Sequence, residues 1–199
     1  MRLIVATKNP GKVREFKAIL EPLGFEVVSQ TEAGVSLDVE ETGTTFAENA
    51  ALKARAIYQA TGCATVADDS GLAVDALDGA PGVYSARYAG EGASDAERNQ
   101  KLLHALADVP KGKRTAQFIC AIHLILPTEG STPEEITAHG ECPGVIGFAP
   151  RGENGFGYDP LFYVANGKSF AELSAEEKNQ CSHRARALAQ MTRELENRS

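Results

Sequence analysis

Residues 3–12 read Leu3-Ile4-Val5-Ala6-Thr7-Lys8-Asn9-Pro10-Gly11-Lys12 and hold the clearest structural signal in the chain. The unbroken apolar run at 3–6 is typical of a strand that is buried on both faces of a sheet. A Pro-Gly break follows, and the apolar residues after it recur at helical spacing as far as residue 20. A buried strand that leads into an amphipathic helix predicts an α/β fold.

The loop between this strand and this helix is a candidate anion site. Backbone N–H groups and the helix dipole favour negative charge at a helix N-terminus, and Lys8 and Lys12 add positive charge. The loop is not a P-loop, because that motif would place a glycine at Ala6 and a hydroxyl residue at Val13. The loop alone fits phosphate binding and an ordinary turn with solvated lysines equally well.

Length and composition restrict the class of protein. A chain of 199 residues is long enough for one domain with a substantial core. The net charge of −7 argues against a broad nucleic-acid surface, and no apolar run is long enough to cross a membrane. The four cysteines form no C-x-x-C pair and no secretory signal is visible, so we expect reduced thiols and a cytoplasmic location.

The remaining elements alternate between strands and helices. Apolar runs predict strands at 25–28, 64–67, 72–74, 115–126, 135–142 and 144–147. Capping boxes at 45–48 and 94–97 begin two further helices, and the tail from 174 onward is also helical. We therefore expect an α/β fold with a mixed central sheet, flanking helices and two lobes.

The predicted helix at 45–61 carries polar residues where its core-facing stripe should be apolar. Phe46, Asn49, Ala50, Lys53 and Ile57 share that stripe. A lysine is almost never fully buried unless it is paired. Lys53 therefore either extends to the edge of the stripe or meets an anion in an active-site cleft.

Two pairs of acids are candidate metal ligands. Glu40 and Glu41 precede the helix, and Asp68 and Asp69 follow a predicted strand at the sheet edge where ligands gather in α/β proteins. Carboxylate oxygens of this kind suit Mg²⁺ rather than zinc. The alternative is that the segment 68–71 is only a turn.

Two segments near the C-terminus also have two interpretations. Residues 154–160 form either a packed turn or a platform on which a nucleobase stacks. The second interpretation is possible because an exposed aromatic ring can stack on any nucleobase. His183 lies at the break before the last helix, where it is either structural or functional.

The order and combination of these segments resemble the inosine triphosphate pyrophosphatase family, and in particular its bacterial non-canonical purine nucleotide pyrophosphatases. The resemblance covers essentially the whole chain and departs from the family pattern at Lys8 and Pro10. The segments that carry it are 7–12, 40–43, 46–55, 67–72, 79–87, 156–160 and 182–184.

The resemblance implies Mg²⁺-dependent hydrolysis of ITP, dITP and XTP to the monophosphate and pyrophosphate. It also implies a homodimer and a substrate cleft between two lobes. By resemblance, the triphosphate would be held by Thr7, Lys8, Asn9, Pro10, Gly11, Lys12 and Lys53. Glu40 and Asp69 would bind the metal, with Asp69 also the proton acceptor. The nucleoside pocket would be lined by Ser70, Phe156, Gly157, Tyr158, Asp159, Lys178, His183 and Arg184.

Three other functions remain open from sequence. A pyrophosphatase for modified pyrimidine nucleotides would have a similar architecture, and the segments 156–160 and 182–184 argue against it. A sensor that binds a nucleotide without cutting it would have little use for paired acids beside a phosphate loop, since they repel the ligand when no metal is present. A phosphoprotein or polyphosphate phosphatase would need no aromatic platform for a base.

Overall fold

The computed structural model describes residues 1–130 and 132–197, and alternates strands and helices. The strands are β1 (Arg2–Val5), β2 (Glu26–Ser29), β3 (Thr65–Val74), β4 (Thr115–Leu126), β5 (Glu134–Ile146) and β6 (Phe162–Tyr163). The α-helices are α1 (Pro10–Leu20), α2 (Phe46–Thr61), α3 (Asp95–Ala105), α4 (Ala175–Cys181) and α5 (His183–Glu196). No helix in these described ranges has the length and apolar character to cross a membrane.

The described strands form a mixed sheet in the order β2-β1-β3-β4-β5-β6. β1 runs parallel to both β2 and β3, and its central residue Ile4 lies opposite Val28 and Thr65. β6 is antiparallel to β5. The predicted α/β fold with a mixed sheet and flanking helices is therefore confirmed.

The chain divides into two compact units. Unit 1 comprises Met1–Asp69, Cys120–Gly140 and the chain from Arg184 onward, and unit 2 comprises Ser70–Ile119 and Glu141–His183. Each unit has its own apolar core. Phe16 and Leu188 are fully buried in unit 1, and Leu102 and Phe170 are fully buried in unit 2. The chain passes from one unit to the other within β3, β4 and β5, and after His183, the first residue of α5.

Local sequence signals set the helix boundaries. Thr45 caps α2 and Ser94 caps α3, each through a complete capping box, as predicted. Gly62 ends α2 in the left-handed conformation, where glycine avoids the strain of a side chain. These boundaries depend on neighbouring residues only, which is why the sequence predicts them well.

The predicted strand breaks at 68–71 and at residue 143 are wrong. β3 continues through Asp68, Asp69, Ser70 and Gly71, and β5 continues through Pro143. The two-residue strand β6 had no sequence prediction, since two residues show no periodicity. The continuity of β3 matters for function because successive side chains of a strand point to opposite faces. Asp68 and Asp69 therefore have different surroundings.

Candidate active site

The loop from β1 to α1 caps its own helix. The Asn9 side-chain oxygen accepts hydrogen bonds from the N–H groups of Gly11 at 2.8 Å and Lys12 at 3.3 Å. Two of the helix N-terminal donors are therefore already used within the chain. An anion at this loop would meet lysine side chains first. Lys8 is half-exposed and pairs with Asp38 at 2.6 Å.

Asp68 is the centre of a buried ionic network in unit 1. Its Oδ2 accepts hydrogen bonds from the Arg184 Nε at 3.0 Å and Nη2 at 2.7 Å, and it pairs with Lys12 Nζ at 3.1 Å. The Asp68 side chain is fully buried, and the Arg184 side chain is 1% exposed. Arg184 also donates to the Glu15 carboxylate. The network thus holds Lys12 and Arg184 in fixed positions.

Asp69 faces a different group of residues. Its carboxylate accepts a hydrogen bond from Asn49 Nδ2 at 3.1 Å and lies 3.6 Å from Lys53 Nζ. Lys53 also pairs with Glu41 at 2.5 Å. Burial by itself would lower the pKa of Lys53, but the Asp69 and Glu41 carboxylates outweigh it and raise that pKa. Lys53 is therefore a buried, charged lysine between two carboxylates.

Asn49 connects this group to the loop before α2. Its side-chain oxygen accepts a hydrogen bond from the Gly43 N–H at 2.8 Å, while its amide group donates to Asp69. A Cβ at Gly43 would lie 2.6 Å from that same oxygen, so only glycine allows this approach. The contacts with Asp69 explain why the core-facing stripe of α2 carries two polar residues, Asn49 and Lys53.

The surroundings of the two adjacent aspartates shift their pKa values in opposite directions. Burial would raise the pKa of Asp68, but the charges of Arg184 and Lys12 hold it well below its usual range. Burial also raises the pKa of Asp69, and there the opposing charges of Lys53 and Lys12 do not cancel it. Paired titratable groups whose environments separate their pKa values mark the acid–base residues of a site. Asp69 is therefore the more basic carboxylate of the two.

The carboxylates of Asp69 and Glu41 have the ligand chemistry that a divalent cation requires. Asp69 and Glu41 both lie beside Lys53 and offer only oxygen ligands, which suits a hard cation. Within residues 1–130 and 132–197, no three His, Cys, Asp or Glu side chains are grouped as a metal cage. Mg²⁺ needs no such cage when substrate phosphates supply its other ligands. Glu40, the predicted ligand, is exposed to solvent.

Unit 2 contains the predicted aromatic turn. The Asp159 side chain is 3% exposed, and its Oδ2 accepts hydrogen bonds from the Phe156 N–H at 2.9 Å and from Lys178 Nζ at 2.6 Å. Lys178 Nζ lies 4.8 Å from the centre of the Phe156 ring. Gly155 has φ +76°, and a Cβ there would lie 2.0 Å from the Asp159 carboxylate. Asp159 thus fixes an aromatic ring and an ammonium group side by side.

The other predicted nucleoside residues are placed separately. His183 is buried and stacks on Phe118, with ring centres 4.7 Å apart. Ser70 lies in β3 directly after Asp69, and Gly157 follows Phe156 in the turn. Arg184 contacts Asp68 within unit 1. Within unit 2, the structure brings Phe156, Asp159 and Lys178 together.

Tyr158 supports the turn from inside unit 2, and its removal gives a measurable test. The ring is 4% exposed, its hydroxyl donates to the Ser85 carbonyl at 2.8 Å, and burial raises the pKa of the phenol. Tyr158→Phe leaves that buried carbonyl without its donor, so we expect the free energy of unfolding to fall by about 1–2 kcal/mol. Urea denaturation measures this. Tyr84→Phe, at a 59% exposed ring, should show no loss; equal effects for both variants would contradict the assignment.

Buried aspartates of β3 paired with lysines of α1 and α2 are the kind of site that an α/β enzyme uses to act on phosphate groups. The chain matches the Ham1 family over residues 3–194 and belongs to that family. It is 56% identical over 191 residues to the dITP/XTP pyrophosphatase of Yersinia pseudotuberculosis serotype I (strain IP32953), with 96% of this chain and 95% of that protein covered. It is 52% identical over 197 residues to the dITP/XTP pyrophosphatase of Salmonella paratyphi A, with 98% of each covered.

Solved structures agree with this assignment. A HAM1 protein from Coxiella burnetii matches with a TM-score of 0.86 at 45% identity, and 99% of each chain is covered. The Staphylococcus aureus Ham1 protein matches with a TM-score of 0.84 at 43% identity over the whole of both chains. The resemblance drawn from the sequence motifs is confirmed, and the chain is a hydrolase of the nucleoside triphosphate pyrophosphatase class.

Sequence reasoning did not assign roles to several residues of these groups. The position of Asn49 on an apolar stripe indicates a functional or structural partner, because a buried amide requires one. The sequence does not distinguish Glu41 from Glu40, and the structure shows that Glu41 is the one that pairs with Lys53. Glu15 had no signal, because it pairs with a residue 169 positions away in the chain.

Proposed function

We propose that this protein hydrolyses the non-canonical purine nucleotides ITP, dITP and XTP to the monophosphate and pyrophosphate. The observation that carries the proposal is that Asp68 is held in buried ion pairs with Arg184 and Lys12, whereas the neighbouring Asp69 contacts Asn49 and Lys53 and has a raised pKa. The relatives are dITP/XTP pyrophosphatases, which supports the choice of substrates.

The proposed reaction breaks the linkage between the α- and β-phosphates. Water supplies the new oxygen, pyrophosphate leaves, and the proton released by the water passes to the Asp69 carboxylate. Phosphoryl-transfer sites act mainly by positioning and charge neutralisation. Lys12 and Lys53 are the side chains that neutralise the triphosphate, and residues 7–11 of the loop lie next to Lys12 in the chain. The Asn49 hydrogen bond orients Asp69 for the proton transfer.

The proposed cofactor is Mg²⁺, held by Asp69 together with a glutamate of the 40–41 pair. Glu41 is the glutamate that contacts Lys53, whereas Glu40 is exposed. When bound, the cation neutralises part of the triphosphate charge and makes a nearby water more acidic.

The proposed base site is the aromatic group of unit 2. Phe156 offers a half-buried ring for stacking, and Lys178 Nζ beside it is a hydrogen-bond donor. A donor suits the 6-oxo group of hypoxanthine or xanthine and opposes the 6-amino group of adenine. Sites that leave a polar group unpaired discriminate strongly against the wrong substrate. Tyr158, Asp159 and Ser70 complete this proposed site together with His183, while Arg184 would act through Asp68.

The proposed setting is the cytoplasm, with a homodimer as the working form. Its role would be to remove deaminated purine nucleotides before polymerases incorporate them. We propose neither nucleic acid nor membrane as a partner, and the net charge of −7 supports the first point.

A nucleotide panel tests the proposal. Pyrophosphate release is measured with ITP, XTP, dITP, GTP, ATP and dTTP, first with Mg²⁺ and then with EDTA. We expect cleavage of ITP, dITP and XTP at least about 100-fold more efficient in kcat/KM than that of ATP, because a mismatched buried donor costs a few kcal/mol. EDTA should abolish the activity.

Two outcomes would contradict parts of the proposal. Tight ITP binding with no turnover of any nucleotide would make the protein a sensor. Comparable cleavage of ATP or dTTP would keep the chemistry but exclude the proposed role of Lys178 at the base.

A further inference from the structure

The turn that carries Phe156 is held by helix α3 as well as by Asp159. The Gly157 N–H donates to Asp95 Oδ2 at 2.7 Å, and the Gly157 carbonyl accepts from Asn99 Nδ2 at 2.8 Å. Asp95 and Asn99 are four residues apart and therefore lie on one face of the helix. Both polar groups of one residue in the turn are thus fixed by side chains of a single rigid element.

Only one of the two polar groups of the Asn99 amide makes a hydrogen bond among the described residues. It is 7% exposed, and its Oδ1 has no hydrogen-bond partner among residues 1–130 and 132–197. A buried acceptor without a partner destabilises the fold, whereas an apolar side chain of the same size would not. Stability alone therefore gives little reason for an asparagine at this position. What Asn99 provides, and a leucine would not, is the hydrogen bond to Gly157.

Packing on this side of the turn is incomplete. A cavity of about 430 Å³ is bordered by α3 at Asn99 and Leu103 and by the turn at Phe156 and Gly157. Where apolar packing is interrupted, hydrogen bonds determine the position of the backbone. Phe156 precedes Gly157 directly, so a shift of the Gly157 peptide shifts the aromatic ring relative to Lys178.

We propose that Asp95 and Asn99 are positioning residues that orient the Phe156 ring and thereby set the discrimination between bases. The inference rests on the proposed function, because it assigns a role within the proposed base site. Neither residue needs to touch the substrate. Both act through the Gly157 peptide, and the triphosphate residues of unit 1 are not involved.

The main test compares Asn99→Leu with wild type. We expect the KM for ITP to rise about tenfold at nearly unchanged kcat, since one lost hydrogen bond shifts an equilibrium by about that factor. The ratio of kcat/KM for ITP over ATP should fall, because ITP loses the alignment of its 6-oxo group with Lys178, a contact that ATP does not make. The Ki of inorganic tripolyphosphate as an inhibitor should not change. Tm should change little, because the lost bond to the Gly157 carbonyl is offset by removal of the buried acceptor that has no partner among the described residues.

Matched variants separate positioning from folding. Gln100→Leu changes the next residue of α3, which is exposed, and should keep wild-type KM and selectivity. Asp95→Asn retains an oxygen that can accept from Gly157 and should stay close to wild type, whereas Asp95→Ala should behave like Asn99→Leu.

Each contrary result has a defined meaning. If the wild type hydrolyses ITP and Asn99→Leu has the KM and selectivity of Gln100→Leu, the positioning role is wrong while the proposed function stands. A lower Tm with equal losses for every substrate would make Asn99 merely structural and would also overturn the inference. If the wild type cleaves no nucleotide, the proposed function fails and the inference with it.

Discussion

Asp69→Asn is expected to lower kcat for ITP hydrolysis by about 10³-fold, because removal of a general base typically costs 10²–10⁴ in rate. The asparagine side chain keeps an oxygen that can accept the hydrogen bond from Asn49, so the local structure should be retained. It cannot take the proton of the attacking water at neutral pH. Steady-state pyrophosphate release at saturating Mg²⁺ measures the effect.

Two controls make this result specific. Asp108→Asn alters an exposed aspartate in unit 2 and should leave kcat unchanged. The circular dichroism spectrum and Tm of Asp69→Asn should match those of the wild type, which excludes misfolding as the cause. Retention of more than a tenth of the wild-type kcat would show that another group accepts the proton.

The sequence predicts the parts of this fold that depend on neighbouring residues. The capping boxes at Thr45 and Ser94 set helix starts correctly, because a cap is a contact between residues three positions apart. The apolar run at 3–6 equally predicts a buried strand, which the structure places at Arg2–Val5. The turn-forming residues at 68–71 predict a break in the strand, and this prediction is wrong. The position of β3 inside the sheet overrides their local preference.

The candidate site was predictable in its residue types but not in its pairing. Lys53 and Asn49 were conspicuous on an apolar stripe, and both prove to contact Asp69. The partner of Asp68 could not be found, because Arg184 lies 116 positions away and no local pattern links them. The roles of the two aspartates thus became distinct only when the continuous β3 strand placed them on opposite faces.

The largest expected effect on stability comes from Asp68→Ala. Removing one partner of a buried ion pair leaves a buried charge uncompensated and typically costs about 3–5 kcal/mol of unfolding free energy. Arg184 would keep its contact with Glu15 but lose that with Asp68, and Lys12 would lose its buried partner. Urea denaturation measures the change. Asp38→Ala breaks an exposed pair with Lys8 and should cost at most about 1 kcal/mol; a similar small loss for Asp68→Ala would show that the network does not stabilise the fold.

Acid dependence separates the ionic contribution of Asp68 from packing. Its pKa lies well below its usual range because Arg184 and Lys12 outweigh the effect of burial. As the pH falls, Asp68 therefore becomes protonated in the unfolded chain, with a pKa of about 4, at a higher pH than in the folded chain. The stabilisation by Asp68 is fully present above that pH and is lost as the pH falls toward the much lower folded pKa. Between pH 4 and pH 2, the unfolding free energy of wild type should fall more steeply than that of Asp68→Ala. Parallel curves for the two proteins would mean that Asp68 is not ionised in the folded protein.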